Sequence, residues 1–223
     1  MNNESLVLLT VRGTVTPASL EAACVLHNET AGSAPGIAAA RALGDLSHKV
    51  YSPVAGAKGA EPGEVLFLDQ WLSAEGLGKF FSNHQVQAQA GKLFSKREGV
   101  VWMPAQGAFG FDLAAPRGKS ARYLGVVRGI VTSPEQAIEA FRSSLAPKLA
   151  DARRRGQLSH GIYLRIPMPG ETLAPELIGL DVWCDAAGMQ EHYREISGLH
   201  AAFAGAPQMS VWQEAEGGAW SEW

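Results

Sequence analysis

The chain repeats itself, and that repeat limits its fold more than any other feature of the sequence. Val11-Arg12-Gly13-Thr14-Val15-Thr16 returns as Val127-Arg128-Gly129-Ile130-Val131-Thr132, 116 residues later. Leu46-Ser47-His48-Lys49-Val50-Tyr51 returns as Leu158-Ser159-His160-Gly161-Ile162-Tyr163 at a spacing of 112, so the first copy carries four extra residues, expected near Gly32 to Gly36. Leu68-Asp69-Gln70-Trp71 followed by Gly76 matches Leu180-Asp181-Val182-Trp183 followed by Gly188, again at 112, and Val101-Trp102 matches Val211-Trp212 at 110. Four anchors in the same order mean tandem duplication. The expected division is repeat 1 over 1–112, a linker over 113–120 containing Pro116 and Gly118, and repeat 2 over 121–223.

Within each copy, β-rich runs at Leu6 to Arg12 and Tyr123 to Arg128 precede Thr16-Pro17 and Ser133-Pro134, which offer a capping residue followed by proline at the first helical position. Ile138, Phe141, Leu145 and Leu149 fall three and four apart and predict one apolar stripe, with Arg142 and Lys148 facing water. Strands are expected at His48 to Val54 and Val65 to Trp71, and at His160 to Ile166 and Leu177 to Trp183. A second helix is expected to start near Ser73 or Asp185, and a closing strand to hold Trp102 or Trp212. Each copy thus reads β-α-β-β-α-β, the ferredoxin-like order of an α+β fold.

Composition narrows the partners. The 223 residues are 46% hydrophobic and 18% charged, enough for a packed core without assistance. A net charge of -3 offers no broad positive field for nucleic acid, Arg153, Arg154 and Arg155 being one short basic run. No stretch reaches the roughly 18 to 20 apolar residues of a membrane span, and Met1 to Ser5 is polar, so a cytoplasmic location is expected. Cys24 and Cys184 occupy non-equivalent places in the copies and are expected to be buried free thiols.

The run from Val65 through Trp71 and Gly76 to Phe80-Phe81, and its copy through Asp185, Gly188 and Met189 to His192-Tyr193, resembles the strand-turn-helix of the antibiotic-biosynthesis-monooxygenase-like dimeric α/β-barrel superfamily. That resemblance implies an intramolecular dimeric α/β barrel, one chain supplying the two units that separate chains usually supply, with helices outside and a ligand pocket between helices and sheet. The superfamily includes cofactor-free quinol or polyketide monooxygenases, heme-degrading and heme-binding enzymes and lactone isomerases, so the fold alone fixes no reaction.

Candidate site residues follow from strand alternation. Phe67, Asp69 and Trp71 share one face, and Gly179, Asp181 and Trp183 the equivalent one. Trp71 and Trp183 can wall an aromatic pocket while Asp69 and Asp181 accept a proton or orient a partner, or the tryptophans pack under the helices while the aspartates meet Arg12 and Arg128. Arg12 and Arg128 could equally clamp a carboxylate or enolate oxygen. Aligning the second helices pairs Phe80 with His192, Phe81 with Tyr193, and His84 with Ile196. This alignment predicts that His84 enters the helix-sheet space beside Trp71, and it sets His192 at the flank of its stripe. His84 and His192 are the expected bases. By the resemblance, His192 lies near the helix histidine of many superfamily members. His48 and His160 enter the second strands after Leu-Ser, either as pocket residues or as devices that end the preceding helix near Gly44 and Gly156.

No phosphate loop, dinucleotide fingerprint, nucleophile elbow or His-Glu-x-x-His helix occurs, which disfavours nucleotide, hydrolase and zinc-protease chemistry. The expected ligand is a small hydrophobic or aromatic molecule, with no metal and either no cofactor or heme. The expected function is a cofactor-free monooxygenase or isomerase acting on a small aromatic or quinone-like molecule, or else a non-catalytic barrel carrying a small ligand or heme. The oligomeric state is expected to be a monomer with pseudo-twofold symmetry or a homodimer.

Overall fold

A computed structural model describes residues 6–108, 110–112, 122–167, 170–196, 198–220 and 222–223; Met1 to Ser5 and the expected linker over 113–120 lie outside the described residues. Two compact units form: Met1–Ala55, Glu61–Trp102 and Glu214–Trp223 make one, and Gly56–Ala60 with Met103–Gln213 the other.

The first unit contains β1 (Val7–Val15), α1 (Leu20–Glu29), α2 (Ala34–Ala42), β2 (Asp45–Pro53), β3 (Glu64–Trp71), α3 (Ala74–Phe81), α4 (His84–Leu93) and most of β4 (Phe94–Pro104). Its strands stand in the antiparallel order β4-β1-β3-β2. The second unit holds β5 (Phe111–Asp112), β6 (Tyr123–Ile130), α5 (Pro134–Leu145), α6 (Leu149–Arg154), β7 (Gln157–Arg165), β8 (Glu176–Trp183), α7 (Ala186–Glu195) and β9 (Gln208–Glu214). Its order is β9-β6-β8-β7-β5. Both units carry the expected β-α-β-β-α-β succession.

Most helix positions are broken rather than continuous, and the sequence explains each break. Ser33 caps α2 ahead of Pro35, so the first copy's extra residues fall in the α1 to α2 junction. Ile138, Phe141 and Leu145 are buried as the stripe requires, but Pro147 ends that run and Leu149 opens α6. Ser133 caps α5 as expected, whereas α1 starts at Leu20 with Ser19 as its cap, which corrects the expectation at Thr16-Pro17. Ser73 and Asp185 cap α3 and α7 as expected. Gly76 and Gly188 let these first turns press against a carbonyl: a Cβ would lie 1.9 Å from the Leu43 oxygen and 2.1 Å from that of Arg155. Gly44 and Gly156, with φ of 100° and 101°, end the preceding helices in a left-handed turn.

The core of each unit rests on two tryptophans. Trp71 and Trp102 in one, Trp183 and Trp212 in the other, are at most 2% exposed, and burial of side chains this large is a leading source of stability. Trp102 Nε1 donates to Thr10 Oγ1 at 2.9 Å and Trp212 Nε1 to Ser210 Oγ at 2.9 Å, satisfying two indoles inside the sheet. In the second unit Val131, Phe141, Ile162, Leu177 and Phe203 fill the space between α5 and the strands. The thiols differ from expectation: Cys24 is half-buried and Cys184 exposed.

Candidate functional site

Strand register creates the most consequential pairing in each unit. His48 lies directly opposite Asp69 across β2 and β3, and His160 opposite Asp181 across β7 and β8. His48 Nδ1 is 2.6 Å from Asp69 Oδ1, and His160 Nδ1 is 2.6 Å from Asp181 Oδ1. All four residues are buried. A carboxylate bonded to Nδ1 holds the proton on that nitrogen and leaves the Nε2 lone pair for another partner. His48 Nε2 is itself buried and has no hydrogen-bond partner.

Each strand carries a bulge just before its histidine, between Asp45 and Ser47 or between Gln157 and Ser159. The extra residue turns Asp45 and Gln157 onto the face that carries the dyad. The two dyads then part company. Asp181 accepts three bonds, from His160, from Gln157 Nε2 at 2.9 Å and from the Tyr193 hydroxyl at 2.7 Å. Burial, and secondarily the charge of Asp181, raises the Tyr193 phenol well above its usual pKa, so it stays a donor. Asp69 serves His48, and the residue matching Gln157 is a second carboxylate, Asp45. Burial is the largest influence on Asp45 and raises its pKa; the bond from Trp223 opposes this and the charge of Asp69 adds to it.

Around His48 the rings are closely stacked. The Trp223 ring lies 3.9 Å from that of His48 at an interplanar angle of 11°, and His27 from α1 lies nearly parallel to both, 5.1 Å from His48 and 5.6 Å from Trp223. Phe67 stands edge-on to His27 and His48, and Trp220 edge-on to His27. His27 is 1% exposed. Burial first, then the neighbouring His48, pushes its pKa down to about 3, so its imidazole is neutral at ordinary pH. In the other unit the matching position is held by Phe111, paired with His160 in β5, its ring 6.4 Å away and tilted by 31°.

The structure distributes the sequence candidates unevenly. It joins His48 to Asp69 and His160 to Asp181 by side-chain contacts of 2.6 Å and leaves Gly44 and Gly156 to end the helices. Trp71 packs against Phe80 and Phe81, and Trp183 against His192 and Tyr193, so both tryptophans lie under the second helices. Arg12 and Arg128 pair with Glu64 and Glu176 at the starts of β3 and β8, each at 2.6 Å, rather than with Asp69 or Asp181. His84 is exposed in the first turn of α4, because the helix breaks at Ser82 and Asn83 caps a new one. The expectation that His84 enters the helix-sheet space is therefore corrected. His192 is buried, 5.1 Å from the Trp183 ring, and its pKa is lowered, chiefly by that burial.

His27, Asp45, Trp220, Trp223 and Phe111 escaped the sequence reading. One signal could have found two of them: Phe111 and Trp223 are aromatic at the repeat spacing of 112, beyond the last shared anchor. Among the described residues no three His, Cys, Asp or Glu side chains gather as a metal site.

No protein-family model and no curated protein matches the chain. Solved structures do. An anthrone oxidase-like protein is 18% identical with a TM-score of 0.62, covering 96% of this chain and 93% of its own. A Lactobacillus acidophilus protein classed as a monooxygenase is 10% identical with a TM-score of 0.62, covering 98% of each chain. A variant of Rhodococcus jostii DypB in complex with heme is 11% identical with a TM-score of 0.56, covering 94% of this chain and 93% of its own. At such identities the likeness is one of fold, and the fold it shows is the dimeric α/β barrel, built here from two copies of one α+β unit in a single chain.

Proposed function

We propose that this protein is a cofactor-independent oxygenase acting on a planar, hydroxylated polycyclic aromatic of the anthrone kind, with His48 as the base and Asp69 as its orienting partner. The observation that carries the reading is the buried Nδ1 to Oδ1 contact of 2.6 Å together with the unpartnered, buried Nε2 of His48. A neutral imidazole held in one tautomer accepts a proton at Nε2, and Asp69 stabilises the imidazolium that forms. The aromatic neighbours Phe67, Trp220 and Trp223 suit a flat, apolar ligand.

The chemistry balances without a prosthetic group. His48 removes a proton from the ring CH2 of an anthrone, the electron-rich enolate reacts with dioxygen, and loss of water converts CH2 to C=O, consuming one O2 and releasing one H2O. Proton removal and return without dioxygen is the chemistry of an isomerase. The likeness to an anthrone oxidase-like protein supports the choice of substrate class.

Heme suits this site less well. Iron needs an imidazole nitrogen facing an open plane as wide as the macrocycle, whereas His48 Nε2 is enclosed among rings. The packing around His48 does not fit the group.

The test is oxygen uptake with anthrone. Wild-type protein is expected to consume one O2 per anthrone, and His48→Ala to lower the rate by about 100-fold or more. Absence of uptake by the wild type, or an unchanged rate in His48→Ala, overturns the proposal, and a Soret band on adding heme favours the heme reading instead.

A further inference from the structure

Trp223 does more than cover His48. Its indole N–H donates to Asp45 Oδ2 at 2.6 Å while its ring lies on the imidazole face. Three polar atoms around it, His48 Nε2, His27 Nε2 and Asp45 Oδ1, are buried and have no partner. Asp45, His27 and His48 are 5%, 1% and 3% exposed. Orphaned polar atoms are rare inside proteins, and three around one indole call for a physical reason. The segment carrying Trp223 reaches β2 through an isolated bridge, Lys49 to Glu222, two backbone bonds with His48 of 3.2 and 3.3 Å and a bond from Ala215 N to Val50 O of 2.9 Å.

The other unit lacks this arrangement. There Gln157 replaces Asp45 and spends its amide on Asp181, and Phe111 has no N–H to donate and does not lie flat on His160.

We infer that the place now taken by the Trp223 indole is a binding subsite for a fused-ring aromatic bearing an O–H or N–H on its rim, with Asp45 accepting that donor and Trp223 as the competitor supplied by the chain itself. The inference deepens the oxygenase reading and rests on its premise that the His48 site takes a planar aromatic. A ligand ring stacked on His48 and hydrogen-bonded to Asp45 reproduces both interactions of the indole. Asp45 is then the residue that tells a hydroxylated ring from a bare one, since a buried acceptor left empty disfavours the ligand that cannot fill it. Trp223 lowers apparent affinity in proportion to the fraction of molecules in which it is seated.

The experiment uses full-length protein and two probes that cannot be oxidised further at the reacting carbon, 1,8-dihydroxyanthraquinone and unsubstituted 9,10-anthraquinone, followed by visible absorbance and tryptophan quenching. Trp223→Ala is expected to bind the dihydroxy probe about tenfold more tightly than wild type. Asp45→Asn in that background is expected to weaken the dihydroxy probe about tenfold and to leave anthraquinone within twofold. If Trp223→Ala does not fold, Trp223→Phe, which keeps a ring and loses the N–H, is expected to tighten binding by a smaller factor. Equal or weaker binding by the Trp223 variant, an equal effect of Asp45→Asn on both probes, or no binding by any variant overturns the subsite. Tight probe binding without anthrone turnover overturns only the oxygenase; turnover with no tightening in the variants overturns only the subsite.

Discussion

Gly125 and Tyr193 depend on each other. A Cβ at position 125 would lie 2.1 Å from the Tyr193 hydroxyl, the group that reaches Asp181 at 2.7 Å. The first copy has Leu9 and Phe81 at these positions, so a large strand residue accompanies a hydroxyl-free ring in one copy and a glycine accompanies a phenol in the other. Gly125→Ala should therefore displace Tyr193 and destabilise the protein by about 1–3 kcal/mol, whereas Tyr193→Phe should cost about 1 kcal/mol. Urea unfolding of both variants checks the order.

The two carboxylates should respond differently to amide substitution. Asp69→Asn frees His48 to take the wrong tautomer, and anthrone oxidation should fall by about 100-fold or more with little loss of fold. Asp181→Asn turns an NH2 toward one of three donors, from His160, Gln157 and Tyr193. That buried mismatch should cost about 2–3 kcal/mol and leave oxidation within threefold. Oxygen uptake and thermal melts on the same preparations separate the two outcomes.

Acid should weaken the protein through His27. Its folded pKa of about 3 lies below the ordinary 6.5, so as pH falls the unfolded chain takes up the proton first. Stability is complete above about pH 6.5 and is lost as pH falls toward 3, by about 2 kcal/mol between pH 6.5 and 5. His192, also lowered, acts in the same direction. Urea midpoints at several pH values should show the slope, and His27→Gln should flatten most of it.

His84→Ala should be silent. The residue is exposed at the start of α4, and stability should change by less than about 0.5 kcal/mol, with oxygen uptake unaltered. A tenfold loss of uptake would return His84 to the site.

The duplication and the element order were legible because anchors such as Leu-Ser-His and Leu-Asp-x-Trp recur at nearly constant spacing and alternate with period two. The same alternation placed Asp69 and Asp181 on the face of the buried tryptophans. Their histidine partners were visible as residues but not as partners, since cross-strand register is not written in either strand alone. His84 was misplaced because a 3.6-residue period was carried through Ser82 and Asn83, where a competing cap restarts the helix. Arg12 and Arg128 were given the nearest acids along the third strands, but the antiparallel register sets those strands' first residues, Glu64 and Glu176, within reach. His27 lies outside every repeated motif, and only packing reveals it, while Trp223 is marked in the sequence only by Phe111 at the repeat spacing.

The unit that holds His48 takes its covering tryptophan from Glu214–Trp223, and the unit that holds His160 takes its phenylalanine from the stretch after Trp102. Each histidine is thus roofed by residues that follow the other copy's closing strand. Cutting the gene between its copies would leave two proteins, each carrying its neighbour's roof, and complete sites would return only at concentrations where the pieces meet. The fused chain makes that encounter intramolecular, so its sites are whole at any dilution.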